Sequence, residues 1–314
     1  MTALFTVIMP VFLVIGFGWV ATWRGWFGES AVDGLMRFAQ NFAVPVLLFA
    51  SIARLDLGAD YSAPLLLAFY AGAFASFGVG WAGARFVFHR PAEDAVAIGF
   101  ICLFSNSLLL GVPITQRAFG DDALAGNWAI ISVHSPLLYT FGITVMEFTR
   151  AKGSGLSVGR VAGRALRGVL RTPLVIGIMA GMAANLLMIA GLVLPEGFWA
   201  AVDMIGRSAL PAALFGLGGI LYRYKPEGDM AVIAMCCLCG LLLHPAITFG
   251  LGRVMGLDVA GMRSAVITAA MAPGVNAYLF ANIYGVGRRV AASSVLIGTA
   301  VSILTTWMWL GLLP

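Results

Sequence analysis

Residues 105–113 read SNSLLLGVP, and they interrupt an otherwise apolar run that extends from about residue 94 to residue 119. An asparagine stands between two serines in this stretch, and a glycine and a proline follow it closely. Polar side chains and helix breakers are both costly in the hydrocarbon interior of a membrane. A membrane-embedded run that contains both therefore indicates a functional site.

The composition of the whole chain supports a membrane location for this run. Hydrophobic residues make up 61% of the 314 residues and charged residues 11%, whereas soluble domains have about 25% charged residues. The 39 glycines and 13 prolines are also typical of membrane helices. The net charge of +5 comes from basic residues spread over short connections. We therefore expect a lipid bilayer, and no nucleic acid, as a partner.

Ten runs of the chain are long enough to cross a bilayer, for which a helix needs about 20 apolar residues. They extend over residues 3–23, 31–53, 63–88, 94–119, 124–149, 171–193, 197–221, 230–254, 260–284 and 290–312. Such long, uniformly apolar runs are helices rather than barrel strands, because backbone groups cannot stay unpaired in lipid. The predicted fold class is an all-α integral membrane protein with ten transmembrane helices.

Lysine and arginine residues in the connections predict the orientation. Loops after odd-numbered spans contain thirteen of them, and loops after even-numbered spans contain four. Cytoplasmic loops carry the excess of basic residues. The sequence therefore predicts a multi-pass protein of the cytoplasmic (inner) membrane with both termini outside. Its basic segment 150–170 is predicted to be a cytoplasmic linker between a first half, 1–149, and a second half, 171–314.

The two halves resemble each other. The matching positions are Pro10 and Pro173, Pro45 and Pro211, and Asn106 and Asn276. The offset between the matches drifts from 163 to 170 residues, as expected for one continuous alignment. Because each half has five spans, an odd number, the second half enters the membrane from the opposite side. The sequence thus predicts two inverted five-helix repeats, an architecture found in many secondary transporters.

In such transporters a discontinuous helix in each repeat contributes to a site near the membrane centre, and the fourth and ninth spans are the candidates here. The predicted substrate-binding residues are Ser105, Asn106, Ser107, Pro273, Gly274, Asn276 and, from the second span, Asn41. Asparagine amides and the positive ends of half-helices can hold a carboxylate without a buried cation. We expect Gly111 and Pro113 to help the fourth span break, with close helix packing as the alternative role for either residue. The alternative is that both asparagines join helices by hydrogen bonds and that the prolines are simple kinks. Asn41 lines the cavity or caps a kink.

Other polar residues of the spans have two interpretations each. The candidates for a counter-charge are Arg37 and Arg207, and those for a coupling proton are His134 and His244. Each arginine follows an aspartate, Asp33 or Asp203, by four residues, which favours a local ion pair. Each histidine lies close before a proline, so a neutral ring bonded to freed backbone is favoured over a proton carrier. No metal or cofactor is expected, since the four cysteines lie in apolar runs without partners at metal-ligand spacing.

Three motifs carry a resemblance to a known family. NFAVPVLLFA (41–50), SNSLLLGVPI (105–114) and MAPGVNAYLFANIYG (271–285) resemble those of the auxin efflux carrier family, in particular its bacterial members, which are related to the plant PIN-type carriers. The resemblance implies a fold similar to Na⁺/H⁺ antiporters and bile-acid transporters, with helices 4 and 9 crossing at unwound segments. It also implies an elevator movement of transport helices 3–5 and 8–10 against scaffold helices 1, 2, 6 and 7.

The resemblance also bears on the substrate and the site residues. Members carry small organic anions, indole-3-acetate in plants and malonate or other carboxylates in bacteria, and Asn106 and Asn276 match the asparagines that meet the carboxylate. One departure is that PIN-type carriers have a proline in each crossing, whereas the nearest one in the fourth span is Pro113.

The leading functional hypothesis is a secondary transporter of a malonate-like or other mono- or dicarboxylate, and not an enzyme. A proton- or sodium-coupled symporter of another organic acid, with H⁺ or Na⁺ as the coupling ion, is an open alternative, and so is a homodimer through the scaffold helices. A passive channel or sensor has the same sequence signature. An intramembrane hydrolase would use Ser105, Ser107 or Ser135 with His134, but no nucleophile-elbow or H-E-x-x-H motif supports it.

Overall fold

The computed structural model describes residues 4–151 and 170–314, together with Gly163 and Gly168. Most of the predicted basic linker 150–170 lies outside the described residues. Within them, all regular structure is helical. The helices are α1 (Leu4–Trp23), α2 (Glu29–Ala53), α3 (Ala63–Val87), α4 (Ala92–Leu103), α5 (Ser107–Gly111 continuing as Val112–Phe119), α6 (Asp121–Ala151), α7 (Pro173–Ile189), α8 (Glu196–Arg223), α9 (Met230–Val254), α10 (Val259–Ala269), α11 (Val275–Tyr284) and α12 (Arg288–Leu312).

Among the described helices, seven are long and apolar enough to cross a membrane, namely α1, α2, α3, α6, α8, α9 and α12. The predicted all-α membrane fold class is therefore confirmed, while ten spans in two inverted repeats stay a prediction. The fourth and ninth predicted spans do not form single helices, because each is divided into two short ones, α4 with α5 and α10 with α11. Helix α7 has 17 residues and is a shorter apolar helix.

Four helices, α1, α2, α7 and α8, pack closely against one another through glycines. A Cβ atom built on Gly18 of α1 would lie 2.0 Å from the Phe215 backbone oxygen of α8, and one on Gly218 would lie 1.9 Å from the Ile15 backbone oxygen. In the same way Gly177 of α7 lies against the backbone of Pro45 in α2. Small residues let membrane helices approach to backbone contact. These glycines therefore set the distances between the four helices.

Two ion pairs join the ends of α2 and α8, and they differ from the predicted local pairs. Asp33 near the start of α2 bonds Arg223 at the end of α8 at 2.7 Å. Asp203 near the start of α8 forms a two-pronged pair with Arg54, just after α2, at 2.8 and 2.9 Å. The prediction that each aspartate pairs with the arginine four residues later is therefore wrong. The antiparallel packing brings the arginine at each helix end to the aspartate at the start of its neighbour. Arg54 makes two parallel hydrogen bonds there, and Arg223 bonds both Asp33 and the Glu29 backbone oxygen.

Four of the helices contain a wide π-type stretch directly before a proline. These stretches are Leu4–Ile8, Ala39–Ala43, Ser107–Gly111 and Cys239–Leu243, and each is followed by a helix with proline in its first two positions. Proline has no N–H group and its ring collides with the carbonyl four residues earlier. A wider turn relieves both problems without ending the helix. The second of these stretches contains Asn41 and turns it toward the site described next.

Candidate substrate site

The two interrupted helices meet at their breaks. Between α4 and α5, and again between α10 and α11, the chain is extended for a few residues, and the two segments run antiparallel with Ser105 opposite Pro273. The backbone N–H of Asn106 donates to the Ala272 carbonyl at 2.8 Å, and that of Gly274 donates to the Phe104 carbonyl at 2.9 Å. Each helix break leaves backbone N–H and carbonyl groups without a partner in their own helix. The opposite segment supplies hydrogen-bond partners for such groups.

The same pairing explains where each helix breaks. Ser105 and Pro273 lie opposite each other without exchanging backbone hydrogen bonds, so the missing N–H of proline costs nothing in this pairing. In the first segment a serine occupies this position, and the break needs no proline. Gly111 and Pro113 lie within α5, beyond the break. The prediction that they help to break the fourth span is wrong, because the break is held by the chain segment that crosses it.

The two asparagines do not occupy matching positions in the crossing. When each residue of the first segment is matched with the residue 168 positions later, the two hydrogen bonds exchange places. In this matching Asn106 corresponds to Gly274. Asn106 therefore precedes α5, whereas Asn276 is the second residue of α11. The predicted match of Asn106 with Asn276, at an offset of 170, does not coincide with this pairing of the two segments, and it stays a prediction. Both side chains nevertheless reach the same space.

That space is a cavity of about 640 Å³ beside the crossing. Of the predicted substrate-binding residues, six contribute to its wall, namely Asn41, Ser105, Asn106, Ser107, Gly274 and Asn276. Pro273 lies in the paired segment and is not part of the wall. Helices α2, α6, α7 and α8 supply the opposite side of the cavity, where residues such as Val44, Ile131 and Leu174 are apolar. The wall is thus polar at the crossing and mixed elsewhere, because α2 and α6 also contribute polar residues such as Asn41 and His134.

Free hydrogen-bond donors are concentrated at the crossing. The Asn106 side chain is 7% exposed, and its Nδ2 has no hydrogen-bond partner although it is buried. Helices α5 and α11 both begin here, and the first N–H groups of a helix have no acceptor within it. The same helix ends carry partial positive charge. Because an unpaired buried donor is unfavourable, this arrangement favours a bound acceptor, and an anion above all.

No lysine or arginine is found among the described residues that line the cavity. Arg37 and Arg207 are exposed on α2 and α8, outside its wall. The structure therefore does not bring these predicted counter-charges to the site. Uncharged donors and helix ends would hold a ligand of one negative charge here. This arrangement avoids a buried lysine or arginine, which is costly in a membrane.

The two histidines differ in their relation to the cavity. His134 of α6 lines it, and its Nε2 lies 3.5 Å from the Ser107 Oγ. His244 of α9 is fully buried behind Phe69, and its Nε2 contacts the Phe69 backbone oxygen at 3.1 Å. Only His134 is thus in a position to meet a ligand.

Several residues of the cavity wall were not predicted from the sequence. Tyr139 of α6 donates from its hydroxyl to the Asn276 backbone oxygen at 3.2 Å and so supports the start of α11. Gln40 and Asn282 also contribute polar groups to the wall. Gln40 is adjacent to the predicted Asn41, and Asn282 lies in the motif 271–285. For both, the available signal was a polar residue within an apolar run. Tyr139 gave no such signal, because an aromatic residue in an apolar helix is ordinary.

Residues 3–310 match the family described as membrane transport protein. Among curated relatives, a protein of Rhizobium meliloti (strain 1021) named as a candidate malonate transporter is 23% identical over 299 residues, which cover 95% of this chain and 92% of the relative. The transporter YfdV of Escherichia coli (strain K12) is 21% identical, covering 96% and 95%. Auxin efflux carrier component 8 of Arabidopsis thaliana is 23% identical, covering 89% of each chain.

Proposed function

The chain belongs to the membrane transport protein family that includes the auxin efflux carriers, and from that premise we propose that it is a secondary transporter of a small organic anion. The observation that carries this proposal is the unpaired, buried Asn106 Nδ2 at the crossing, beside the starts of α5 and α11. The proposed substrate is a mono- or dicarboxylate, with malonate as one candidate because a relative is named for it. One carboxylate group binds between the two helix starts.

The proposed mechanism is alternating access of the elevator type. The scaffold consists of α1, α2, α7 and α8, with the glycine contacts and ion pairs that hold them together. The transport bundle consists of α3–α6 and α9–α12, and its large apolar core also includes residues of α1 and α8, such as Ile15 and Leu217. A separate apolar cluster lies between the two groups, including Leu48 and Ile52 of α2 and Trp128 of α6. Apolar surfaces can slide more easily than hydrogen-bonded ones. The hydrogen bond from Arg117 of α5 to the Thr6 carbonyl of α1, at 2.7 Å, would have to break in such a movement.

The proposed orientation makes this conformation open to the cytoplasm. The cavity extends from the crossing to Gly168, Thr172 and Tyr284, the end at which the basic linker 150–170 begins and ends. The apolar cluster with Trp128 closes the opposite, outer end. We place the protein in the cytoplasmic membrane with both termini outside. A homodimer through the exposed faces of the scaffold belongs to the same proposal.

The intramembrane hydrolase is less well supported than a transporter. Its serine and histidine are close, since Ser107 Oγ and His134 Nε2 are 3.5 Å apart. However, His134 Nδ1 has no partner among the described residues, so the orienting third group of a serine–histidine triad is not found there. The family and the names of the relatives also indicate a transporter rather than an enzyme. A passive channel is distinguished by the experiment that follows.

The purified protein is expected to bind and carry at least one simple carboxylate. The panel is acetate, malonate, succinate and indole-3-acetate, each tested for a rise in melting temperature and for uptake into proteoliposomes. A ligand at about 100 times its Kd stabilises a protein by about 2.7 kcal/mol. We expect saturable uptake of the acid that gives the largest rise. No rise and no uptake with all four acids would overturn the proposal, and uptake that never saturates would indicate a channel.

The orientation is expected to show in cysteine labelling of intact cells. Ala59→Cys, in the exposed connection between α2 and α3, should react with a membrane-impermeant maleimide, and Gly163→Cys, in the linker, should not. Both should react after the cells are permeabilised. The four native cysteines are buried, so background labelling is low. Reaction of Gly163→Cys alone in intact cells would reverse the orientation.

A further inference from the structure

We propose that His134 binds a proton that crosses the membrane together with the carboxylate, which makes the protein a proton–carboxylate symporter. This inference rests on the proposed function and adds the coupling ion and the residue that holds it. It depends on the position of His134 in the cavity wall, on its hydrogen-bond partners and on the charges around it.

His134 is the one histidine in contact with the site. It is 3% exposed, lies in the wall of the cavity beside Phe104 and Ser107, and its Nδ1 has no hydrogen-bond partner in the described structure. The ring is held in place by aromatic neighbours, with the centroid of Phe104 at 4.7 Å and that of Phe69 at 5.7 Å. A ring that is fixed by packing and has one free nitrogen can gain a proton without rearrangement.

An acceptor for Nε2 of the charged ring is already present. The Ser107 hydroxyl lies 3.5 Å from Nε2, and it is also 2.9 Å from the Ser105 hydroxyl. Both nitrogens of a protonated imidazole are donors. The crossing segment that receives the carboxylate is therefore the segment that faces the imidazolium.

None of the titratable groups described around His134 competes with it as the proton acceptor of the site. On its own helix the nearest is Tyr139, from α3 it is Tyr70 at 6.2 Å between ring centroids, and from α9 it is His244 behind Phe69. Tyr70 is committed to a hydrogen bond with the Ile130 carbonyl. Among the described residues of the cavity wall there is no aspartate, glutamate, lysine or arginine. Histidine is the side chain whose charge changes near neutral pH.

The charge balance explains why such a proton is useful. A carboxylate bound at the crossing adds one negative charge to a moving bundle that has no cation in its described cavity wall. Charge is costly in the interior of a membrane. One proton on His134 makes the site neutral when it holds a monocarboxylate, and it removes one of the two negative charges when the site holds a dicarboxylate dianion. The proton comes from water on the side at which the carboxylate enters and returns to water on the side at which it leaves, with no bond made or broken in the substrate.

The test is uptake into proteoliposomes with the membrane potential clamped, using malonate or the panel acid that gives the largest melting shift. With the outside 1.5 pH units more acidic than the inside, one proton per carboxylate supports an accumulation of about 30-fold, since each pH unit is worth about 1.4 kcal/mol. We expect wild-type protein to accumulate the acid under this gradient and His134→Gln not to do so. Glutamine keeps a hydrogen bond to Ser107 and cannot take up a proton in this range.

Two readouts separate loss of coupling from loss of the site. His134→Gln should lose accumulation but retain part of the exchange of labelled for unlabelled acid at equal pH, because exchange needs no net proton movement. His244→Gln, a buried histidine outside the cavity wall, should still accumulate the acid under the gradient. Liposomes without protein correct for diffusion of the undissociated acid.

Accumulation that survives in His134→Gln would overturn the proposal, because the proton would then travel on the substrate. Loss of exchange in a folded His134→Gln would also overturn it, since the ring would then be a substrate contact. Saturable wild-type uptake that ignores the gradient would remove the coupling and leave the proposed function intact. Absence of any saturable uptake would remove both.

Discussion

Uptake is expected to fall at least about tenfold when Asn106 is replaced by alanine. The change removes the buried donor that has no partner in the empty site, and a hydrogen bond to a charged group contributes about 1.5–3 kcal/mol, or roughly 10- to 150-fold in affinity. The measurements are the initial rate of uptake and the ligand-induced rise in melting temperature, with the acid chosen from the panel. Both should decrease together.

Two further variants show whether the effect belongs to the crossing. Asn282→Ala makes the same change in the wall of the same cavity, on α11 six residues after Asn276, and should reduce uptake by less than about threefold, as expected for a weak contact. Asn106→Asp keeps the shape but places a negative charge beside the carboxylate, and should abolish uptake. Parental uptake and parental melting shifts in Asn106→Ala would show that the amide is not a substrate ligand.

The folding of Asn106→Ala can be judged separately from its activity. The backbone N–H of Asn106 makes the hydrogen bond to Ala272, and alanine retains it. The side-chain Nδ2 makes none, so its removal takes away no contact of the ligand-free protein. The variant should therefore melt within a degree or two of the parent without ligand. A large loss of stability would instead assign the side chain to the fold.

The bounds of the long helices could be predicted closely, because the length of a membrane helix depends on one property, the length of its apolar run. A run of about 20 apolar residues is a helix in lipid wherever it occurs. The predicted run 230–254 coincides with α9, and the run 197–221 differs from α8 by one or two residues at each end. The presence of a break in the fourth and ninth spans was also predictable, since polar residues and Pro273 disturb the apolar pattern.

The location of the breaks and the ion pairs could not be predicted, because both depend on partners far along the chain. The break before α5 is held by the Ala272 carbonyl, 166 residues after Asn106. Arg54 and Asp203 are 149 residues apart. A local pattern, such as the four-residue spacing of Asp203 and Arg207, is uninformative when a neighbouring helix end offers a better geometry. Tyr139 was missed for the same reason, since its role depends on the start of α11.

The second large effect is expected from Gly18→Ala, which should destabilise the scaffold by about 3 kcal/mol or more. The added Cβ would lie 2.0 Å from the Phe215 backbone oxygen and 2.8 Å from its carbonyl carbon. Backbone atoms cannot move aside as a flexible side chain can, so α1 and α8 must separate. The measurement is the melting temperature of the purified protein in detergent, together with the yield of folded protein.

Gly16→Ala is a closely matched control, because it makes the same change two residues earlier in α1. A Cβ there would have no atom within 4 Å, and alanine is favoured over glycine in a helix by about 1 kcal/mol. Gly16→Ala should therefore leave the melting temperature unchanged or raise it slightly. The difference between the two variants measures the contact of α1 with α8 alone. Equal melting temperatures would mean that the two helices are not held at backbone contact. In that case the close four-helix scaffold, against which the transport bundle is proposed to move, would not exist in this form.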